Sequence, residues 1–186
     1  DVAGMSLPAQ EVGGDLYDFS CLNNGREELC VSVVDVSGKG MEAAMSAVFT
    51  SGALASEIRQ TDSPSAILTH LNRAVFKHSR RGQFVAFLLG TISVQEKKFH
   101  FANAGQTKPL LRRGGTLQWI DGRGVHFPLG MREDTAYEEF SLQLQPGDML
   151  FLLTDGFTEA MNAGLESYGM ERVEQSAGAV ELDQLT

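Results

Sequence analysis

The sequence is short of basic residues, of cysteine and of long apolar runs, and each shortage removes a class of function. Lysine and arginine number 15 against 24 aspartates and glutamates, a formal net charge of -9, so the chain lacks the basic surface that displaces counterions from nucleic-acid phosphates. A protein partner or a small substrate suits this charge better than nucleic acid. The two cysteines, Cys21 and Cys30, do not make the disulfide framework of a secreted domain; both are read as reduced thiols, and the compartment as cytoplasmic. No apolar run reaches the roughly 18 residues of a membrane span, and no charged-then-apolar leader is visible, so neither a membrane contact nor a signal peptide is expected. The four histidines, His70, His78, His100 and His126, fall in different elements and read as packed or surface residues, not as ligands. There is no internal repeat and no low-complexity segment.

Against these absences, three aspartates stand out, each where an apolar or glycine-rich stretch gives way to a turn. Asp15 follows Gly13-Gly14, Asp35 ends the run Leu29 to Val34, and Asp155 ends Met149 to Thr154 with Gly156 beside it. Each carboxylate is expected at the rim of a strand. Two like charges about 4 Å apart at an effective dielectric near 20 repel by roughly 4 kcal/mol, so such carboxylates converge only with help, and a divalent cation reverses the sign. Oxygen-only ligands with no histidine or cysteine cluster suit Mg²⁺ or Mn²⁺. Taken singly, each aspartate could simply cap a helix or open a turn; three sharing the pattern weaken that alternative.

At 186 residues the chain is expected to form a single domain, residues 1–186, burying about 70% of its unfolded surface. A hairpin turn is expected at Asn23-Asn24-Gly25, leading into the strand that ends at Asp35. A helix from about Met41 to Arg59 carries Ala44, Ala47, Ser51 and Ala55 as its close-packing stripe, and its start is set by Ser37-Gly38-Lys39-Gly40. That glycine-rich turn lacks the first glycine and the Lys-Ser/Thr order of a phosphate-binding loop, so nucleotide binding is not expected. A second helix begins at Ser63-Pro64 and runs to Ser79 with Ile67, Leu71, Ala74 and Val75 in the core. Strands follow at 84–94, from 99, at 109–112, 117–120, 140–144 and 149–154, with a short helix after Asp155. Met41, Met45, Met161 and Met170 are read as core or helix-interface residues. Runs of antiparallel strands with helices gathered in blocks give an α+β layered fold.

The strings EVGGDLYDF (11–19), VVDVSGKGMEAAM (33–45), FANAGQTKPLL (101–111) and FLLTDGFTEAMN (151–162), in this order and spacing, resemble the metal-dependent serine/threonine phosphatases of the protein phosphatase 2C (PPM) family, in its bacterial SpoIIE/RsbU-like branch. The resemblance implies an α-β-β-α sandwich, two antiparallel sheets flanked by helices. It also implies two Mn²⁺ or Mg²⁺ ions at one edge and a metal-bound water that attacks a phosphoserine or phosphothreonine ester. On this resemblance Asp35 matches the aspartate that bridges both metals, and the backbone carbonyl of Val36 the ligand that follows it. Asp15 matches the acidic residue of the first motif, which ligates or orients metal-bound water, and Asp155 the ligand of the second metal. Asp18 would support the site from the first motif or cap its turn. The substrate implied is a phosphorylated protein such as an anti-anti-sigma (STAS) domain, and the two helices after Asp35 act as a regulatory switch in some members.

Two departures from that pattern bear on activity. The family's Ala-Gly-His reads Ala104-Gly105-Gln106 here, and glutamine can bond but cannot titrate. The family's final Asp-Asp-x-Thr string does not appear before Thr186; Asp183 lies in what reads as the preceding helix and is not promoted to its role. The expectation is therefore a phosphatase domain excised from a longer signalling protein, with a sensor or receiver domain upstream and the family's last strand missing. The rival readings are a catalytically impaired, phosphatase-like binding module acting on a regulatory partner, and a small-molecule phosphohydrolase with the same metal centre.

Overall fold

The computed structural model describes residues 1–7, 13–22, 28–38, 40–79, 82–122, 124 and 126–181. The turn expected at Asn23-Asn24-Gly25 lies outside these residues, as do Lys39, Arg80, Arg81 and Asp183. In chain order the elements are β1 (Leu16–Leu22), β2 (Glu28–Val36), α1 (Gly40–Glu57), α2 (Pro64–His78), β3 (Val85–Ser93), β4 (Lys98–Ala104), β5 (Leu110–Arg113), β6 (Thr116–Trp119), β7 (Phe140–Gln143), β8 (Met149–Phe151), α3 (Asp155–Thr158) and α4 (Gly169–Ala179). All strand pairs are antiparallel, as the α+β reading requires. No described helix is long and apolar enough to cross a membrane. Two compact units divide the chain.

The larger unit, Ser6–Gln106 with Gly122–Leu144, is built on a five-stranded sheet in the order β1-β2-β3-β4-β7. Near-continuous apolar sequence in β2 and β3 produces strands buried on both faces. Cys30, Val34 and Val36 of β2 share one face and pack with Ala43, Ala47 and Leu54 of α1 and with Ile67, Leu71 and Val75 of α2. Burial, with the nearby charge of Asp18 adding to it, pushes the free Cys30 thiol up to about 11. Gly90 sits inside β3 because the Phe99 ring occupies the space a side chain would need, and that ring stacks on Phe101 at 5.0 Å.

Helix α2 follows its sequence signals closely. Ser63 is the N-cap, its hydroxyl accepting from the Ala66 amide at 3.4 Å, with Pro64 opening the helix. Ile67, Leu71 and Val75 are buried as expected, joined by Leu68 and Asn72, with Ala74 half-buried. Helix α1 does not follow the expected stripe: the buried residues are Ala43, Ala47, Thr50 and Leu54, while Ser51 and Ala55 are exposed. The reason is low contrast, because α1 is apolar or small around most of its circumference and offers two candidate faces at helical spacing. The methionine reading is corrected with it, since Met41, Met45, Met161 and Met170 are all exposed.

The smaller unit, Asp1–Met5, Thr107–Asp121 and Gln145–Thr186, carries a three-stranded sheet in the order β6-β5-β8. Its core gathers Leu110, Val173 and Ala177, with Leu117, Trp119, Phe151, Leu153 and Tyr168 packed around them. Arg112 donates to the carbonyls of Ala177 and Gly178 at 2.9 and 3.1 Å, satisfying the end of α4 with a cation at the negative pole of its dipole. The strand expected over Met149 to Thr154 stops at Phe151, because only Met149 to Phe151 find partners on β5.

Candidate functional site

The register of β1 on β2, continued by one rung, sets two of the expected aspartates opposite each other. Leu16 pairs with Val34 and Tyr17 with Val33; one step further along the same ladder sets Asp15 beside Asp35. A second observation shows that this alignment continues past Leu16, since a Cβ on Gly14 would lie 2.7 Å from the Val36 carbonyl oxygen, the next rung. Residues directly opposite on antiparallel neighbours have Cβ atoms about 5 Å apart on one face. Two negative charges at that spacing repel by roughly 3 kcal/mol at an effective dielectric near 20. The odd-numbered residues of β2 lie on the face opposite Cys30, Val34 and Val36, so Asp15 and Asp35 sit on the side of the sheet that α1 and α2 do not cover. Asp35 is the penultimate residue of β2 and is paired to Ala86 of β3, while its neighbour Val34 is paired to Leu16 of β1.

The carbonyl of Val36 stands where the chain leaves the sheet. Ser37 pins this point, its amide donating to the Phe84 carbonyl at 2.9 Å and its hydroxyl accepting from the Phe84 amide at 2.8 Å. Gly14 is required beside it: with the Val36 oxygen at 2.7 Å and the Ala43 and Val36 Cβ atoms at 3.4 Å from any added Cβ, a side chain there would force the first motif off the second. Two carboxylates on one face and an adjacent main-chain carbonyl offer only oxygen donors, a chemistry that would fit Mg²⁺ or Mn²⁺ and disfavour softer metals. Asp18, three residues along, falls on the opposite face by the two-residue alternation of a strand and is exposed opposite Ser32.

Asp155 belongs to the smaller unit. It is exposed and is the first residue of the four-residue α3, its carbonyl accepting from the Glu159 amide at 2.8 Å and the Thr158 hydroxyl at 2.9 Å. Among the described residues, no group of three or more histidines, cysteines, aspartates or glutamates is gathered as a metal site. None of the histidines joins the aspartates. His70 pairs with Glu57 at 2.9 Å, His100 with Glu139 at 3.7 Å, and His126 bonds the Gly122 carbonyl at 2.8 Å, while the His78 ring packs on Phe49.

Two buried asparagines went unremarked in the sequence. Asn103 clasps the turn at Gly105, accepting from the Gln106 amide at 2.7 Å and donating to the Gln106 carbonyl at 2.9 Å, so Gln106 is held buried by its own main chain. By strand parity Asn103 shares the face of Asp35, two strands away. Asn72, fully buried on α2, donates to the carbonyls of Arg132 and Glu133 at 2.8 and 2.9 Å and accepts from the Gly130 amide at 2.9 Å. The only signal for Asn72 was a polar residue placed next to an apolar stripe.

Comparison with known proteins supplies the family. Phosphoserine phosphatase RsbU of Bacillus subtilis is 29% identical over 161 residues, covering 86% of this chain and 47% of its own length. The chain thus spans less than half the length of the curated relatives it matches. A crystal structure of RsbU and RsbW domains from Mycobacterium tuberculosis superposes with a TM-score of 0.78 at 24% identity, covering 92% of this chain and 46% of that one. The SiaA-PP2C domain of Pseudomonas aeruginosa gives 0.79 at 23%, covering 92% and 68%. These two share the fold. With the Stage II sporulation protein E (SpoIIE) family matching residues 25–186, the chain belongs to that family.

Proposed function

We propose that residues 1–186 act as one phosphatase domain that hydrolyses a phosphoserine or phosphothreonine ester on a protein, in a divalent-metal-dependent reaction within cytoplasmic signalling. The observation that carries the reading is the register of β1 on β2, which continued by one rung sets Asp15 opposite Asp35 on the face that α1 and α2 do not cover, next to the Val36 carbonyl, in a chain of this family. Two Mn²⁺ or Mg²⁺ ions are the cofactors proposed, held by Asp15, Asp35, the Val36 carbonyl and Asp155. When bound, such a pair lowers the pKa of water and offsets charge on a phosphoryl group.

The chain's own residues supply position. Asp35, fixed by its pairing to Ala86, and Asp15, aligned by the Gly14 approach, would define where the cations and hence the phosphoryl group sit. Asp155 is proposed as a further ligand from the start of α3. A metal-activated water makes a protein nucleophile unnecessary for such a reaction. The name of RsbU extends the reading to phosphoserine, and a phosphorylated STAS-type protein is the substrate proposed. An upstream sensor or receiver domain is the proposed regulator.

Release of phosphate from a phosphoserine peptide, followed with and without Mn²⁺, tests this. The expected outcome is metal-dependent hydrolysis that Asp35→Asn abolishes; hydrolysis persisting undiminished in that variant overturns it. The binding-module alternative draws on Gln106, which stands in the place of the family's histidine, and on the absence of a larger ligand group among the described residues. Titration calorimetry decides it, since a folded chain that takes up no Mn²⁺ at millimolar concentration is a binding module.

A further inference from the structure

We propose that Tyr17 and Phe19 form a docking strip on the edge strand β1 for an extended segment of the phosphoprotein substrate, and that the strip takes an arginine two residues from the phosphorylated serine. The inference rests on the phosphatase reading above and deepens it. Leu16 packs with the core that α1 and α2 share with the sheet, so by strand alternation Tyr17 and Phe19 lie on the other face, the one on which the continued register sets Asp15 and Asp35. On that face the inner rungs are covered and the edge is not. Val33 and Val31 are 7% and 8% exposed, whereas their partners Tyr17 and Phe19 are 40% and 43% exposed.

The two side chains make one surface. Their rings stack with centroids 5.9 Å apart and planes 20° from parallel, a strip running along the strand. β1 is the first strand of its sheet, and among the described residues only β2 pairs with it. Edges of this kind are ordinarily blunted by lysine, proline or a bulge. β1 carries none of these: its seven residues, LYDFSCL, run in unbroken register with β2 and hold one charge, Asp18. An edge strand with alternate aromatic side chains on one face is what an added peptide strand uses, main chain to main chain for affinity and side chain to ring for selectivity.

Spacing and charge identify the occupant. A strand advances about 3.4 Å per residue, so positions two apart stand about 7 Å apart on one face. Asp15, Tyr17 and Phe19 follow this spacing, and so do alternate side chains of an extended peptide. A phosphoserine held at Asp15 therefore sets the residue two places away over Tyr17 and the one four places away over Phe19. The acid and both rings lie on one stretch of chain within the larger unit. The net charge of -9 and the exposed Asp18 repel acidic flanks and attract basic ones. Of the two long cations, the planar guanidinium of arginine is the one that stacks on aromatic faces, whereas the lysine ammonium is a compact, strongly hydrated point charge.

The test measures kcat/KM with Mn²⁺ on p-nitrophenyl phosphate and on three phosphoserine peptides. The peptides differ only at the second residue on either side of the phosphoserine, which is arginine, lysine or glutamate; symmetric placement makes the result independent of the direction in which the peptide runs. Wild type is expected to favour arginine over lysine by about threefold, the gain from a guanidinium over an exposed ring, with glutamate the poorest. The arginine-to-lysine ratio isolates the rings, because the field of the chain acts alike on both cations. In Tyr17→Leu combined with Phe19→Leu that ratio is expected to fall to about one, with the p-nitrophenyl phosphate rate as the internal reference for each protein. Tm is expected to hold, since both side chains are exposed and their replacements stay apolar, so a lost preference is not a folding defect. The same ratios are expected in the Kd of peptides carrying a non-hydrolysable phosphonate in place of the phosphoserine, read by titration calorimetry without turnover. A ratio near one in wild type, or an undiminished ratio in the variant, overturns the strip alone. No hydrolysis of any probe by wild type overturns the phosphatase reading and the strip with it. Self-association that the double variant abolishes, with unchanged peptide ratios, assigns the edge to a second copy of the chain and overturns the proposal.

Discussion

The two units carry their aspartates in different ways. In the larger one, Asp35 lies inside a strand paired on both flanks, above a sheet whose inner strands are buried on both faces. In the smaller one, Asp155 opens a four-residue helix with no buried residue of its own, beyond a three-residue strand. A carboxylate is as well placed as the main chain beneath it. The ladder around Asp35 orients that side chain before any ligand arrives, while Asp155 is set by two hydrogen bonds to its own carbonyl and adapts more readily.

The sharpest way to break this contrast is to neutralise each acid in turn. Removing groups that merely support a metal ligand costs about 10- to 100-fold, so Asp35→Asn is expected to lower kcat/KM on a phosphoserine peptide by about a hundredfold or more. Asp155→Asn is expected to cost less; an equal loss would show that main-chain support does not set the contribution of the ligand. Asp35→Asn carries a second signature. With chelator present, removing one of two like charges opposed across a ladder is expected to raise stability by up to about 1 kcal/mol, read as a higher urea midpoint. Mn²⁺ then stabilises wild type and not the variant.

Glycines probe the packing beneath the two regions. In β3, Gly90→Ala drives a methyl group into the Phe99 ring and lies within 3.2 Å of the His100 carbonyl, so a loss of about 3 kcal/mol is expected as that ring leaves its stack on Phe101. In α4, Gly178 meets nothing nearer than the Leu117 Cδ1 at 3.8 Å and Gly178→Ala is expected to stabilise by about 0.5 kcal/mol through helix propensity. If both substitutions destabilise alike, the smaller unit is packed as tightly as the larger, and the contrast fails.

Asn72→Ala comes next in size. It leaves the Arg132 and Glu133 carbonyls and the Gly130 amide without their partner in a buried setting, and about 2 kcal/mol of stability is expected to go with it. Asn72→Asp retains the acceptor for Gly130 but faces two carbonyls with a charge, and is expected to be the worse of the two. Thermal unfolding of both variants checks the order.

What the sequence made legible follows the same division. The start of α2 was readable because Ser63 and Pro64 each carry a local mechanism that needs no tertiary context. The strands β2 and β3 were readable because continuous apolar sequence has few other uses. The buried face of α1 was not, since a helix apolar on several sides offers no single stripe and the sheet chooses between them. The pairing of Asp15 with Asp35 could be suspected from motifs, but its physical basis, the approach of Gly14 to the Val36 carbonyl, depends on register, which sequence spacing does not give. Asn103 and Asn72 were missed for a related reason: each bonds main-chain atoms, which have no sequence identity to recognise.

The smallest expected effect concerns pH and isolates the smaller unit. Arg113 grips Asp148 through two bonds, Nε to Oδ1 at 2.9 Å and Nη2 to Oδ2 at 2.6 Å, and the Gln145 amide adds a third at 2.8 Å. The hydrogen bond from Arg113 holds the Asp148 carboxyl below its ordinary value of 3.8, against an opposing contribution from burial, with the Gln145 amide assisting. A carboxyl whose folded pKa is depressed stabilises the fold above the unfolded-chain value, and that contribution is lost as pH falls through the folded value. Asp148→Asn is therefore expected to be less stable than wild type at neutral pH, with the gap closing as pH falls below the ordinary carboxyl value of 3.8. Trp119, the one tryptophan of the chain, donates to Glu174 at 2.7 Å within the same unit, so its fluorescence reports the unfolding of this region directly. A gap that stays constant down to the lowest pH would mean that Asp148 acts through shape, as the acceptor closing the Pro146-Gly147 turn, and that charge contributes as little to the smaller unit as to the apolar sheet of the larger.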